Sequence, residues 1–311
     1  MIKLPTKFLS LAVSFLSLAN LSNAFETGGA NDITAVTGRT SKDYVRIKLA
    51  DGSFSSEYYA FGKGGPWKGA KADISIDNLS FSDVAHMIAL PLADQKYLPS
   101  KDPSATKLLI MVYWGTTHAP EHASDSAAYV NLNSAQNAYT AAKMQHVPGV
   151  ALAEMDDEVT TALSAVTAEN VMRESDDMIN VKMLGYDSWW ESTRGDVRGT
   201  PFEMQKQDLF NEIEEDRYFV VLMAYDFQLM WKEKKHKLLW ETRFSVRQRH
   251  HDFDKDLPTM AQYAAQYFGQ DTNGLVHKAV PFGRVEIGEV KSLGEVQQKP
   301  STDAEPSAKS Q

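Results

Sequence analysis

The pattern of apolar and polar positions predicts three strands in the middle and second half of the chain. Residues 107 to 114 (KLLIMVYW) and 218 to 225 (YFVVLMAY) are apolar on both alternating faces, which is typical of strands covered on both sides in the middle of a sheet. Residues 238 to 246 (LLWETRFSV) alternate instead, so one face of this strand is expected to contact solvent. The charged segment before this strand predicts a reverse connection and an antiparallel hairpin.

A helical periodicity fills the segment between the first two of these strands. Apolar residues from Leu152 to Val166 recur at three-and-four spacing, and the pattern continues to Gly185, a favourable helix stop. A capping box around Pro201 predicts a further helix. The predicted fold is therefore α/β (α+β), a mixed β-sheet with packed helices and a long helical insertion, at about residues 120–215, between two central strands.

The first residues of the chain have the pattern of a secretory signal peptide. Two lysines precede an apolar run from Phe8 to Leu21, and small residues follow at Ser22 and Ala24, which predicts a signal peptide at residues 1–24. A retained membrane anchor is the alternative, but the run is shorter than the roughly 20 residues that span a bilayer. The chain is expected to be periplasmic or secreted, without a transmembrane segment after cleavage.

Composition sets the remaining boundaries. Residues 25–42 are small and polar, which predicts a disordered lead-in, and residues 297–311 predict a disordered tail. A single domain at residues 43–296 lies between them. Inside it, the glycine-rich residues 61–69 (FGKGGPWKG) lack the order of a phosphate-binding loop and are expected to be a flexible linker. A short strand is predicted at residues 284–290.

The balance of residue types excludes several kinds of chemistry. The chain of 311 residues has no cysteine, so disulfides, thiolate metal sites and a cysteine nucleophile are excluded. Its formal net charge is -9, and removal of the two lysines of the signal peptide would make it more negative. An acidic chain is a poor partner for nucleic acid. No cofactor is predicted.

One arrangement of segments resembles a known class of proteins. The segment ADQKYLPS precedes ATKLLIMVYWG, and a later hairpin ends in KLLWETRFSV before a closing helix. This layout resembles uncharacterised bacterial envelope proteins of a domain-of-unknown-function class, over roughly residues 75–115 and 215–270. The resemblance implies an exported α/β fold and supplies no catalytic residues. Members of the class are often lipid-anchored, whereas this chain lacks the cysteine that such an anchor needs.

A histidine motif follows the first apolar strand. His118, Glu121 and His122 have the H-x-x-E-H order of the inverted zinc metallopeptidases. Such a motif works because a helix places both histidines on one face, beside a glutamate that activates a zinc-bound water. Here Pro120 lies between the histidines and is compatible only with a first helical turn, so the two would not share a face. We favour polar residues in a strand-to-helix loop over a metal site.

A second histidine cluster follows the hairpin. His250, His251 and Asp252 could ligate a metal or transfer protons, but adjacent polar residues that leave a strand more often form a solvated loop with helix-capping aspartates. If the three apolar strands pair as predicted, both histidine loops leave the sheet at one edge. This is the edge where α/β folds usually place a site. We expect the loops to share the edge without three donors converging on one ion.

Three aromatic residues within the insertion are candidates for a contact surface. Tyr186, Trp189 and Trp190 offer a large apolar area, which either packs in the core of the insertion or forms an interface. The sequence thus favours an exported, soluble envelope protein that acts as a non-enzymatic binding or interaction module, with an envelope protein partner or self-association. The alternatives are a metal-dependent hydrolase that uses the HAPEH segment and a periplasmic small-ligand binder.

Overall fold

The computed structural model describes residues 33–67, 72–120, 123–193, 195, 198–200 and 202–279. The predicted signal peptide, the strand predicted at residues 284–290, the predicted tail, and Glu121 and His122 lie outside the described residues. Among the helices of the described part, none is both long enough and apolar enough to cross a membrane.

The described chain forms one mixed β-sheet with helices against both faces. The strands, in chain order, are β1 (Ile33–Thr40), β2 (Glu57–Trp67), β3 (Tyr97–Pro99), β4 (Leu108–Thr116), β5 (Arg217–Asp226), β6 (Leu238–Arg247) and β7 (Leu275–Ala279). Their order across the sheet is β3-β2-β4-β5-β6-β1-β7. Strand β2 pairs in parallel with β3 and β4, and the remaining pairs are antiparallel.

The helices separate into a group outside the insertion and a group inside it. Those outside are α1 (Ile74–Asp77), α2 (Phe81–Asp94), α7 (Phe227–Glu233) and α8 (Phe253–Ala264), and those inside are α3 (Ala127–Met144), α4 (Gly149–Leu184), α5 (Asp187–Thr193) and α6 (Phe202–Ile213). Strands β4 and β5 are neighbours in the sheet, so the insertion leaves and re-enters between two adjacent central strands. This confirms the predicted fold class.

The two faces of the sheet have separate apolar cores. Residues of α2 and α8 pack on one face with Val220 and Leu222 of β5. Residues of α4, α5 and α6 pack on the other face with Phe219 and Val221 of the same strand. Strand β5 is continuously apolar because each of its faces packs against a different layer of helices, as the sequence predicted.

Strand β1 corrects the prediction of a disordered lead-in at residues 25–42 for the part that the structure describes, which begins at Ile33. Ile33–Thr40 pairs with β6 on one side and β7 on the other. Thr34, Ala35, Val36 and Thr37 are all buried. Two of these buried residues are threonines, and the hydroxyl of Thr37 donates to the carbonyl oxygen of Leu184 at the end of α4. The polar composition therefore did not reveal a strand that is covered on both faces.

Strand β2 corrects the prediction of a flexible linker at residues 61–69. Its residues up to Trp67 pair with β4, with an irregularity between Lys63 and Gly65. A Cβ atom at Gly64 would lie 2.5 Å from the carbonyl oxygen of Val112 and 2.7 Å from the ring of Tyr113. Glycine is required at this point by the close approach of the two strands, and not by flexibility.

The insertion begins with a helical arm, which we define as α3 and the part of α4 that packs against it. Helix α4 has 36 residues and is therefore roughly 54 Å long. Helix α3 buries only Ala142. The buried residues of α4 lie mainly in its last two turns, from Asp177 to Leu184. The C-terminal end of α4 therefore anchors the arm to the sheet, while most of the arm's surface contacts solvent.

Candidate functional site

The two histidine loops leave the sheet at the same edge. Strand β4 runs antiparallel to β5, and β5 runs antiparallel to β6, so the ends of β4 and β6 point the same way. The loop after Thr116 and the loop after Arg247 thus start at one edge. The predicted strand directions are confirmed.

Backbone contacts fix the described part of the first loop. The side chain of Asn180 in α4 accepts a hydrogen bond from the backbone N–H of His118 and donates one of 2.7 Å to its carbonyl oxygen. The N–H of Ala119 donates to Asp216 at 2.9 Å. The side chain of His118 is exposed. These bonds anchor the loop through its backbone and leave the imidazole at the surface.

The second loop leads into helix α8. His250 has a positive φ of 70° and is exposed, while Asp252 precedes the first residue of α8. Nδ1 of His251 lies 3.0 Å from Oδ2 of Asp256 in the first turn of this helix. The same carboxylate oxygen accepts a hydrogen bond from the backbone N–H of Asp252. The side chain of Asp252, at the N-cap position, accepts no hydrogen bond from the backbone at the start of the helix, so Asp256 alone of these two aspartates caps the backbone at the first turn of α8.

These loops do not assemble a metal site from the part of the chain that the structure describes, in which no three histidine, aspartate or glutamate side chains are placed to hold one ion. Glu121 and His122 lie outside that part. A metal site that includes them stays the alternative that the sequence analysis did not favour.

A polar cluster that the sequence did not reveal lies near the start of β5. The carboxylate of Asp73 accepts hydrogen bonds from Tyr218 at 2.5 Å and from Gln248 at 2.6 Å. Its other oxygen accepts from the backbone N–H and the hydroxyl of Ser75. Both oxygens are therefore occupied by partners from α1, β5 and the loop after β6. The cluster connects these elements.

The three aromatic residues of the insertion occupy different environments. Tyr186 and Trp190 are 1% and 6% exposed and belong to the core on the insertion's side of the sheet. Buried in this way, they cannot present their rings to a partner. Trp189 packs on the same core but is only partly buried. It is the member of the trio that borders open space.

That open space is a cavity of about 680 Å³ between the sheet and the insertion. Its walls come from β1, the end of α4, α5, the start of α6 and the loop before β7. The lining residues are Thr37, Gly38, Arg39, Gly185, Ser188, Trp189, Ser192, Phe202, Gln205, Asp271, Thr272, Asn273 and Gly274. The volume lies in the range of small-molecule sites in proteins, roughly 300 to 1,000 Å³.

The sheet side of the cavity is tied to the loop before β7. The backbone N–H of Gly38 donates a hydrogen bond of 2.9 Å to the hydroxyl of Thr272, and the N–H of Thr272 donates to the carbonyl oxygen of Gly38 at 3.0 Å. Oδ1 of Asp271 accepts from the backbone N–H of Asn273 at 2.7 Å. The loop is thus held by its own turn and by β1.

The position of Trp189 depends on a close approach to the same loop. Gly274 has φ of 134°, and a Cβ atom placed there would lie 3.1 Å from the indole nitrogen of Trp189. The conformation and the space both favour glycine at this position. Trp189 can therefore lie against the loop and form one wall of the cavity.

A partly buried ionic network next to the cavity connects the insertion to the sheet. Oε1 of Glu212 lies 2.6 Å from Nε2 of His277, and Oε2 accepts a hydrogen bond from Tyr186. The guanidinium of Arg217 is 3.9 Å from Glu212 and 3.8 Å from Glu215. Burial alone would raise the pKa of Glu212, but these partners outweigh it and lower the pKa to about 2.

The same network raises the pKa of Tyr186, whereas it lowers the pKa of Glu212. Burial and the adjacent negative charge of Glu212 raise the pKa of Tyr186 well above its usual value. The hydroxyl therefore remains a hydrogen-bond donor across the physiological pH range. The network holds α6, β7 and the residue before α5 in a fixed relation.

Comparisons with known proteins add little to this geometry. No family model matches the chain, and no curated protein matches it. Among solved structures, a PDZ domain protein from Parabacteroides distasonis is similar at a TM-score of 0.36 and 8% identity, over 79% of this chain and 39% of that chain. The chain thus spans less than half of that protein.

Proposed function

We propose that the protein is an exported, non-enzymatic binding module that holds its ligand in the cavity beside Trp189. The cavity itself is the observation that carries the proposal. It has the volume of a small-molecule site and an aromatic wall. Its walls combine the sheet, through Arg39, with the insertion, through Trp189 and Phe202.

The chemistry of the lining supports binding over catalysis. Most of the polar side chains are hydroxyls and amides, such as Ser188 and Gln205, which donate and accept hydrogen bonds but do not exchange protons near neutral pH. The guanidinium of Arg39 is paired with Asp187 at 3.1 Å. One oxygen of Asp271 is engaged in its own turn. Such groups orient a bound molecule and leave its bonds intact.

Export rests on the pattern of residues 1–24, which has the charged, apolar and small-residue regions of a signal peptide. Expression of the full chain in a Gram-negative bacterium, followed by fractionation and mass determination, tests this part. We expect the mature protein to begin at Phe25 and to leave the cytoplasm. Retention of the full-length chain in the cytoplasm would refute export without affecting the cavity.

A thermal-shift screen tests the binding function. Purified protein is heated with a library of envelope metabolites, and any compound that raises the melting temperature is measured by isothermal titration calorimetry. We expect at least one such compound, and we expect Trp189→Ala to weaken its binding. Trp231→Ala is the matched control, because Trp231 is 52% exposed on α7, outside the cavity. If no compound binds, or if both variants bind equally well, the proposed site is wrong.

A further inference from the structure

Resting on the proposed binding function, we propose that the cavity takes a neutral saccharide of one or two rings, with a sugar face stacked on Trp189. The evidence is the chemical character of the lining, its charge balance and the accessibility of its aromatic rings.

The lining pairs aromatic rings with short polar side chains. The described residues that line the cavity are two aromatics, three glycines and eight residues with hydroxyl, amide or charged groups. None of these described residues has an aliphatic side chain. An acyl chain or a sterol would bury its surface against aliphatic groups, so this wall is unfavourable for a lipid. The hydroxyls of Thr37, Ser192 and Thr272 already donate to backbone carbonyl oxygens. The side chains of Ser188, Gln205 and Asn273 can instead match the alternating donors and acceptors of a sugar.

The charge balance favours a ligand without net charge. Arg39, the cationic side chain of the lining, already has the carboxylate of Asp187 at 3.1 Å. Binding of a phosphate or carboxylate would compete with that pair, and Asp271 on the same wall would repel the anion. A neutral molecule avoids both costs. It can accept hydrogen bonds from the guanidinium while the ion pair persists.

Accessible aromatic rings provide the stacking surface. Trp189 is partly buried, packs on the core of the insertion and lies close to Gly274, so its ring is supported by the protein before a ligand arrives. Phe202, at the start of α6, is 60% exposed. The axial C–H groups of a pyranose form an apolar patch that packs on such a ring, while its hydroxyls point to the polar wall. A pre-positioned ring lowers the ordering cost of binding.

The test uses the full mature chain and an array of neutral, sialylated, sulfated and phosphorylated oligosaccharides. The best binder is then measured by calorimetry, with inorganic phosphate and decanoate as probes of the other ligand classes. We expect a neutral oligosaccharide to bind, and we expect Trp189→Ala to weaken its affinity by at least about tenfold. Trp189→Phe should restore part of the affinity, and Trp231→Ala should leave it unchanged.

A second variant keeps the test informative if Trp189→Ala fails to fold. Gln205 is exposed on α6 and lines the cavity, so Gln205→Ala should fold normally and still weaken binding by a few-fold. The inference is overturned if only acidic glycans bind, if decanoate or phosphate binds in place of a neutral sugar, or if sugar binding ignores both variants. In the second case, a ligand that depends on Trp189 would still support the proposed function. If no class of ligand binds, both proposals fail.

Discussion

The phenol of Tyr186 donates a hydrogen bond of 2.7 Å to the carboxylate of Glu212. Tyr186 directly precedes α5, which carries Trp189, and Glu212 lies in α6, whose first residue is Phe202. One partly buried hydrogen bond therefore joins the segments that supply the aromatic walls of the cavity. The orientation of those walls depends on a contact between two residues that do not line the cavity.

Replacement of Glu212 should make the free energy of unfolding depend less on pH in the acidic range. A carboxyl whose pKa falls from 4.5 to about 2 on folding stabilises the fold fully above pH 4.5, and that contribution is lost as the pH falls through about 2. Glu212→Gln should therefore lower the free energy of unfolding at pH 7 by about 3 kcal/mol at most. The difference from the wild type should shrink as the pH falls below 4.5.

Urea denaturation of both proteins at pH 7 and at pH 3 provides the measurement. Tyr186→Phe is the graded control, because it removes one hydrogen bond of the same carboxylate and should cost about 1 to 2 kcal/mol. A gap between wild type and Glu212→Gln that stays constant from pH 7 to pH 3 would contradict the assigned pKa.

Asp177 should destabilise the fold at neutral pH, whereas Glu212 should stabilise it. Burial, and then the charge of Glu214, raise its pKa from 3.8 to about 6, and its Oδ1 is buried with no hydrogen-bond partner among the described residues. A raised carboxyl pKa means that the ionised form disfavours the fold above pH 6, and that stability increases as the pH falls from 6 towards 3.8.

Asp177→Asn should consequently raise the free energy of unfolding at pH 7.5 by about 1 to 3 kcal/mol. The gain should vanish near pH 3, where the wild-type carboxyl is protonated in both states. Asp157→Asn, on an exposed position of the same helix, is the control and should change stability little. Equal gains from Asp177→Asn in thermal melts at the two pH values would contradict the raised pKa of Asp177.

A methyl group at position 274 should disturb Trp189. Gly274→Ala places a Cβ atom at 3.1 Å from the indole nitrogen and imposes a φ of 134° that L-residues rarely adopt, so we expect a loss of about 1 to 3 kcal/mol and a shift in tryptophan fluorescence. Gly52→Ala separates backbone strain from steric contact. Gly52 has a positive φ of 84°, but a Cβ atom there would have no atom within 4 Å. Its variant should show strain without the fluorescence change.

The loss in the free energy of unfolding should increase with the number of hydrogen bonds that a variant removes from the Asp73 cluster. Asp73→Ala removes the acceptor for Tyr218, Gln248 and Ser75 and should lower the free energy of unfolding by about 1 to 3 kcal/mol. Tyr218→Phe removes a single donor and should cost less. Equal losses in the two variants, measured by urea denaturation, would show that the carboxylate is not the centre of the cluster.

The sequence predicted the elements whose periodicity is long and uninterrupted. Helix α4 ends at Leu184, next to the glycine that indicated a stop. Strands β4 and β5 are covered on both faces, as their apolar runs indicated, because helices pack on each side of the sheet. In these segments, local preference and tertiary burial favour the same structure.

Strands β1 and β2 could not be predicted because packing determines their residues. Thr34 and Thr37 are buried in β1, and threonine in a polar segment does not indicate a core position. Gly64 in β2 is set by the approach of β4. In both cases the residue that usually indicates a loop is required by the neighbouring element.

The cavity could not be predicted from the sequence because segments that are distant along the chain form its walls. Gly38 and Thr272 are 234 positions apart yet share a hydrogen bond, and no local motif encodes such a pair. One member of the aromatic trio, Trp189, lines this cavity. Which of its three rings would remain accessible depended on the side of α5 that faces the core.

The insertion between β4 and β5 affects how the chain emerges from the ribosome. Strand β4 ends at Thr116 and β5 begins at Arg217, so at roughly 5 to 20 residues per second β4 waits about 5 to 20 seconds for its antiparallel partner. During that interval β2 can cover one of its edges, while the other is an open edge with apolar faces. The helices of the arm, whose contacts are local, can form within microseconds to milliseconds. The arm can therefore form its local helical contacts before the centre of the sheet closes, and we expect translation that stalls within the insertion to leave a chain prone to aggregate through β4.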